Sequence, residues 1–155
     1  IRVLVNHKAK SFHSNGQTFL ICENMDSGKN ETIEFDQVLV AVGRAANSSG
    51  FGLENLGIQL NKNGTIAVNE YLQTRFPNIY ACGDVAGPFQ FTHSASHQAW
   101  YCAVNALFGS LKKFKVDYSV IPWATFTEPE IARVGLNETE AGEKDIRYEE
   151  KKEKN

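Results

Sequence analysis

Apolar and polar positions alternate at the start of the chain. Ile1, Val3 and Val5 share one face of an extended segment, and Phe19 and Ile21 resume a period of two within residues 18–23. Asn15-Gly16 stands between these runs and predicts a hairpin, because Asn-Gly accepts the positive φ that a tight β-turn needs. A second turn over residues 26–30 leads to a strand at residues 32–35. Residues 38–42, Val-Leu-Val-Ala-Val, are uniformly apolar and closed by Gly43. Such a run predicts a strand buried on both faces, the kind found inside α/β sheets. The fold class read from this pattern is α/β, with antiparallel β elements preceding a buried strand.

Residues 45–57 are loop-like and rich in Asn, Ser and Gly. Gly50-x-Gly52 does not make a dinucleotide fingerprint, since the third glycine comes too late and no strand directly precedes it. Leu53 to Gly57 reads as one helical turn stopped by glycine, and residues 65–68 and 78–82 read as short strands. From His93 to Phe108 the period becomes helical. Ala95, Ala99, Cys102, Ala103, Ala106 and Leu107 form the expected inward stripe, Thr92 the expected N-cap and Gly109 the stop. Lys112-Lys113-Phe114-Lys115 is a basic connector read as a solvated domain boundary. Strand character returns over residues 120–126 and 131–135, and Asn137 or Thr139 is placed to cap a last helix. The charged run after Gly142 buries little.

Composition removes several classes. Lys and Arg total 16 against 18 Asp and Glu, a formal charge of −2, and 42% of residues are hydrophobic. This near-neutral balance gives no reason to invoke nucleic acid, whose binding demands a basic face, and no apolar run approaches the ~20 residues that span a bilayer. Cys22, Cys82 and Cys102 are odd in number and widely spaced. They outline neither a disulfide framework nor a zinc spacing, and point to a reducing, cytoplasmic setting. Cys82 and Cys102 are too far apart in sequence for a redox pair and read as small buried hydrophobes. His93 and His97 sit at i, i+4 without a third ligand, so no metal is expected. The single methionine, Met25, and the abrupt ends suggest a piece of a longer polypeptide.

The segment with the most chemistry is Tyr80-Ala81-Cys82-Gly83-Asp84-Val85-Ala86-Gly87-Pro88. A strand ending in Gly-Asp presents a carboxylate at its carboxyl edge, the usual ligand position in open α/β sheets. Gly83 removes a side chain where a ligand approaches. Asp84, purely an acceptor when ionised, suits a polyol chain. The helix start at Thr92-His93 offers free N–H groups to a delocalised anion.

Three ordered motifs carry a family resemblance. Val40-Ala41-Val42-Gly43-Arg44-Ala45-Ala46-Asn47 resembles a Thr-Gly-Arg-x-x-Asn crossover between nucleotide domains, with Val42 in place of Thr. Ile79-Tyr80-Ala81-Cys82-Gly83-Asp84 is similar to a second flavin motif. The third runs from Phe126-Thr127-Glu128-Pro129-Glu130-Ile131-Ala132-Arg133-Val134-Gly135 to Asn137-Glu138-Thr139-Glu140-Ala141, and resembles the opening of a dimerisation domain. Together they resemble the pyridine nucleotide-disulfide oxidoreductases, FAD flavoproteins that use NAD(P)H.

The resemblance implies the end of an NAD(P) domain over residues 1–46, the returning half of a Rossmann-like FAD domain over 47–117, and the start of an α+β dimerisation domain over 118–155. It implies that Gly83 and Asp84 hold the FAD ribityl chain and that Gln90, Phe91, Thr92 and His93 lie along the flavin. Gly43 and the backbone of Ala124 would face the nicotinamide nucleotide. Arg44 itself reads as a structural ion pair, slightly ahead of a ligand role. FAD and NAD(P)H are the implied cofactors, with a disulfide or small-molecule electron acceptor and a homodimeric intact enzyme. The family's redox cysteine pair, its other glycine-rich loops and its late His-Glu pair are not in these residues, so no catalytic residue is expected here. The chain alone is expected to be inactive and to bind FAD weakly at best. The alternatives are a related NADH oxidase or ferredoxin-reductase type without redox cysteines, and a non-catalytic interaction or dimerisation module.

Overall fold

A computed structural model describes residues 1–14 and 16–153. The chain divides into two compact units, Ile1–Arg44 and Ala45–Asn155.

The first unit is a three-stranded antiparallel sheet in the order β1-β2-β3, with β1 at His7–Ser14, β2 at Thr18–Asn24 and β3 at Asn30–Glu34. β1 pairs with β2 from His7↔Asn24 to Ser14↔Thr18, with an irregularity between Ala9 and Ser11. Asn15 of the predicted hairpin turn lies outside the described residues; Gly16 has φ 87°. The β2–β3 turn is held by Asn24, whose Oδ1 accepts the Asp26 and Ser27 N–H groups at 3.0 Å each, an Asx turn.

Two expectations fail in this unit. Residues 1–5 are not a strand, and β1 begins only at His7. Residues 38–42 are neither strand nor buried: Leu39 is 90% and Val42 85% exposed. A strand buried on both faces needs paired neighbours and covering layers. Among the described residues no strand pairs with this run, so its apolar character alone does not make it β.

The second unit is built mostly from turns around one helix. Its apolar core is Ile66, Ala81 and Ala86, with Leu53, Ile58, Val68 and Val85 packed against them. The expected strands at 65–68 and 78–82 reduce to single antiparallel bridges, Leu60↔Ile66 and Gln73↔Tyr80. The chain around them still pairs, as in Ile66 N–H to Val85 O at 2.8 Å and Ala81 N–H to Leu72 O at 3.1 Å. At residues 53–57 the expected turn is a run of overlapping i→i+3 bonds ending at Gly57, φ 61°. A 3-10 turn, Gly83–Val85, precedes α1 at Thr92–Phe108, which ends at Gly109. Beyond it come the antiparallel pair β4 (Trp123–Thr125) and β5 (Ile131–Arg133), then α2 at Glu138–Glu143. Asn137 caps α2 with a reciprocal capping box to Glu140.

α1 turns a different face inward from the one its alanines suggested. Ala99, Ala103, Ala106 and Leu107 are exposed, whereas Ser94, Gln98 and Asn105 are buried. Burying alanine removes little apolar area from water. The backbone groups packed against the helix need partners, and an unmet buried group costs more than an alanine contributes. Asn105 meets that need at the far end: its Nδ2 donates to the carbonyls of Tyr71 (3.2 Å) and Phe114 (2.9 Å), and its Oδ1 accepts the Phe114 N–H at 2.7 Å. The lysine connector is likewise engaged. Lys113 donates to Gln73 Oε1 at 3.0 Å and Lys115 pairs with Glu70 at 2.8 Å.

Candidate functional site

The Gly83-Asp84 segment is shaped by a single buried side chain. Gly83 has φ 80°, in the left-handed region where glycine is favoured, and its N–H donates to Gln98 Oε1 at 2.5 Å. Gly83 O accepts the N–H groups of Ala86 (2.9 Å) and Gly87 (3.0 Å), closing the turn. Gln98 Nε2 then donates to Gly87 O at 2.6 Å and to the Tyr118 hydroxyl at 2.9 Å. One amide, wholly buried on α1, thus grips both ends of the loop that presents Asp84. Asp84 is half-buried in the middle of the turn. A Cβ added to Gly83 would lie 3.3 Å from Ala95 Cβ, so turn and helix approach as closely as glycine permits.

The start of α1 adds donors. Thr92, expected as the cap, is the first helical residue; Phe91 is the N-cap, with no side-chain hydrogen bond and no acidic residue in the first turn. The first N–H groups of a helix have no intrahelical partner, and the helix end carries partial positive charge. Ser94 Oγ, in that first turn, is buried with no hydrogen-bond partner. A carboxylate acceptor, a glycine cradle and unsatisfied donors therefore lie along one packed turn–helix pair. That donor and acceptor set fits a ligand with a polyol chain and an electron-rich heterocycle.

Aromatic rings line the approach to the helix. Phe89, Phe91 and His93 are near-parallel, with centroids 6.3 and 5.2 Å apart and interplanar angles of 13° and 11°. Trp123 lies against Phe89 and Phe91 at 6.1 and 5.7 Å, and the Arg133 guanidinium sits 5.0 Å from the Trp123 centroid. His93 and His97 donate Nε2–H to the carbonyls of Pro122 (2.8 Å) and Asp117 (2.7 Å).

The predicted site residues are distributed unevenly. Gly83, Asp84, Phe91, Thr92 and His93 belong to the turn, the helix N-cap and the first helical turn. Gln90 is exposed on the loop between them. Ala124 is paired with Ala132 in the middle of β4, next to Trp123. Gly43 belongs to the other unit, where it is exposed with φ 112° and open space at its Cβ position. Gln98 was not among the candidates. Its signal was the spacing of Ser94, Gln98 and Asn105, a polar stripe through an alanine-rich helix.

Cys82 and Cys102 are free, as expected, but half-buried rather than fully buried, and Cys102 Sγ is 3.8 Å from Ala81 O. Burial first, then the neighbouring Cys82, pushes the Cys102 thiol up to about 12. Burial likewise raises the Tyr118 hydroxyl, against the bond from Gln98.

The sequence profile of the pyridine nucleotide-disulphide oxidoreductases matches residues 1–99. A mercuric reductase of Staphylococcus aureus is 46% identical over 118 residues, covering 76% of this chain and 21% of that protein. A dihydrolipoyl dehydrogenase of Buchnera aphidicola is 39% identical over 149 residues, 96% of this chain and 31% of the relative. Among solved structures, LpdA from Mycobacterium tuberculosis superposes with a TM-score of 0.76 at 26% identity, covering 91% of this chain and 29% of that one. The HOCl-induced flavoprotein disulfide reductase RclA from Escherichia coli gives 0.69 at 28% identity, with coverages of 89% and 30%. The chain spans less than a third of the length of each of these proteins. With its Gly-Asp turn, its helix start and this similarity along most of its length, the chain belongs to the pyridine nucleotide-disulphide oxidoreductase family.

Proposed function

We propose that this chain is the part of an FAD- and NAD(P)H-dependent disulfide-reductase-type enzyme that holds the flavin's ribityl chain and one edge of its ring. The observation that carries the reading is the Gly83-Asp84 turn clamped by Gln98 against the uncapped start of α1. Asp84 accepts hydrogen bonds from ribityl hydroxyls, Gly83 admits the ligand, and the N–H groups of Thr92 and His93 face the electron-rich edge of the ring. Gln90 and Phe91 extend along the flavin. Gly43 and the Ala124 backbone serve the nicotinamide nucleotide.

In this reading residues 1–46 end an NAD(P)-binding domain, residues 47–117 return the FAD domain and residues 118–155 open a dimerisation domain. The relatives' greater length supports a larger enzyme, which in this reading is homodimeric and cytoplasmic. FAD held by Gly83, Asp84 and the start of α1 would supply the redox chemistry that links NAD(P)H to a disulfide or other acceptor. The chain's own contribution is position, charge and exclusion of water.

The test is Asp84→Ala in the polypeptide that carries this chain, purified with its flavin. The expected result is at least a tenfold loss of retained flavin, read as the 450 nm to 280 nm absorbance ratio, with Asp84→Asn intermediate. Full flavin content in Asp84→Ala, with an unchanged dissociation constant, would refute the assignment. The 155-residue chain alone is expected to quench FAD fluorescence weakly or not at all.

A further inference from the structure

Twenty positions separate Cys82 from Cys102, yet the fold brings them side by side. The segment around Cys82 runs along the α1 face that carries Ala95, Gln98 and Cys102. The Gly83 N–H is fixed on Gln98 Oε1 at 2.5 Å, and one helical turn later Cys102 Sγ lies 3.8 Å from Ala81 O. Between those two anchors is the backbone of Cys82, in an extended conformation (φ −143°, ψ 160°), with the Cys102 sulfur beside it. Neither thiol has a part in the flavin reading, and neither is fully buried.

We infer that Cys82 and Cys102 are a redox pair that closes to a disulfide when the protein meets a hydroperoxide. In the first step the Cys82 sulfur attacks the peroxide oxygen and the O–O bond breaks, leaving a Cys82 sulfenic acid and an alcohol (water, for hydrogen peroxide). The Cys102 sulfur then attacks the Cys82 sulfur. The S–S bond forms as the S–O bond breaks, and the released hydroxide leaves with the Cys102 proton as water. Two thiols are oxidised by two electrons and one peroxide is reduced, in balance. Burial and the neighbouring Cys82 raise the Cys102 thiol, which suits it to the second, resolving step. Closure cross-links α1 to the residue immediately before Gly83-Asp84, a redox-sensitive clamp on the carboxylate's own support.

The experiment exposes purified, folded protein to a small excess of hydrogen peroxide at neutral pH. Remaining thiols are then blocked with N-ethylmaleimide, and the digest is mapped by mass spectrometry without reduction. The expected species is a peptide pair joined through Cys82 and Cys102, two hydrogens lighter than the thiols and abolished by dithiothreitol, with Cys22 blocked. With Cys102→Ser, dimedone is expected to trap a sulfenic acid on Cys82; with Cys82→Ser, Cys102 is expected to stay unlabelled. Recovery of both cysteines as maleimide adducts, or their appearance only in links between molecules, overturns the inference. The map of the unsubstituted protein decides the matter even if a variant fails to fold.

Discussion

The side-chain amide of Gln98 accepts the Gly83 N–H at 2.5 Å and returns a hydrogen bond to the Gly87 carbonyl at 2.6 Å. A five-residue loop is thereby closed from outside, by a residue on the next helix. Its shape depends on α1 being docked, and Asp84 is presented only while that docking holds.

Replacing Gln98 with Leu keeps much of the volume and removes every one of these bonds. The Gly83 N–H and the Gly87 carbonyl are left unpaired at buried positions. We expect a loss of about 2–4 kcal/mol, the cost of buried polar groups without partners. Urea unfolding measures it, and an unchanged midpoint would show that the amide does not hold the loop.

Gly83→Ala faces two obstacles, the left-handed φ of 80° and Ala95 Cβ at 3.3 Å. A non-glycine residue in such a conformation costs roughly 1–3 kcal/mol. Ala95→Gly relieves the contact at a helix-propensity cost of about 1 kcal/mol. The double variant is therefore expected to be less destabilised than the sum of the two single changes. Strict additivity in a double-mutant cycle would mean that backbone strain alone sets the penalty.

α2 has only six residues and relies on its cap. Asn137→Ala is expected to remove about 1 kcal/mol of local helix stability, seen as faster amide exchange in residues 138–143 with β2 and β3 unaffected. The Glu140 carboxyl is held below the ordinary carboxylate value, first by the Asn137 N–H and then by Arg133. A lowered folded pKa means its contribution is present above the ordinary value and is lost as pH falls through the lowered one. NMR shifts of α2 residues should thus move on acidification below that range. A cap that survives protonation of Glu140 unchanged contradicts this.

The Cys102 thiol shifts the opposite way, up to about 12. A group whose folded pKa is raised contributes stability below its unfolded value of about 8.5 and loses it as pH climbs towards the folded one. Stability is therefore expected to decline between about pH 9 and 12, and Cys102→Ser should flatten that limb. Iodoacetamide at pH 8 should label Cys102 far more slowly in folded than in urea-unfolded protein. Equal labelling rates would place the thiol in water.

Local chemistry was legible wherever neighbouring residues suffice to satisfy the backbone. β2, β3, the extent of α1, its stop at Gly109 and the Asn137 cap all follow from alternation, helical spacing and turn residues within a few positions, whereas β1 at His7–Ser14 does not. The ordered motifs around Gly43, Gly83-Asp84 and Phe126 to Ala141 also point to the family from sequence alone. Tertiary structure alone decided the rest. Residues 38–42 have the composition of a buried strand, but a strand exists only where a partner offers its hydrogen bonds. The helix turned Gln98 and Asn105 inward because loop backbone from distant positions needed donors and acceptors there, a demand invisible in the helix's own periodicity. The approach of Cys102 to the Ala81 carbonyl has the same origin: twenty-one positions of separation say nothing about distance once a turn is packed onto a helix.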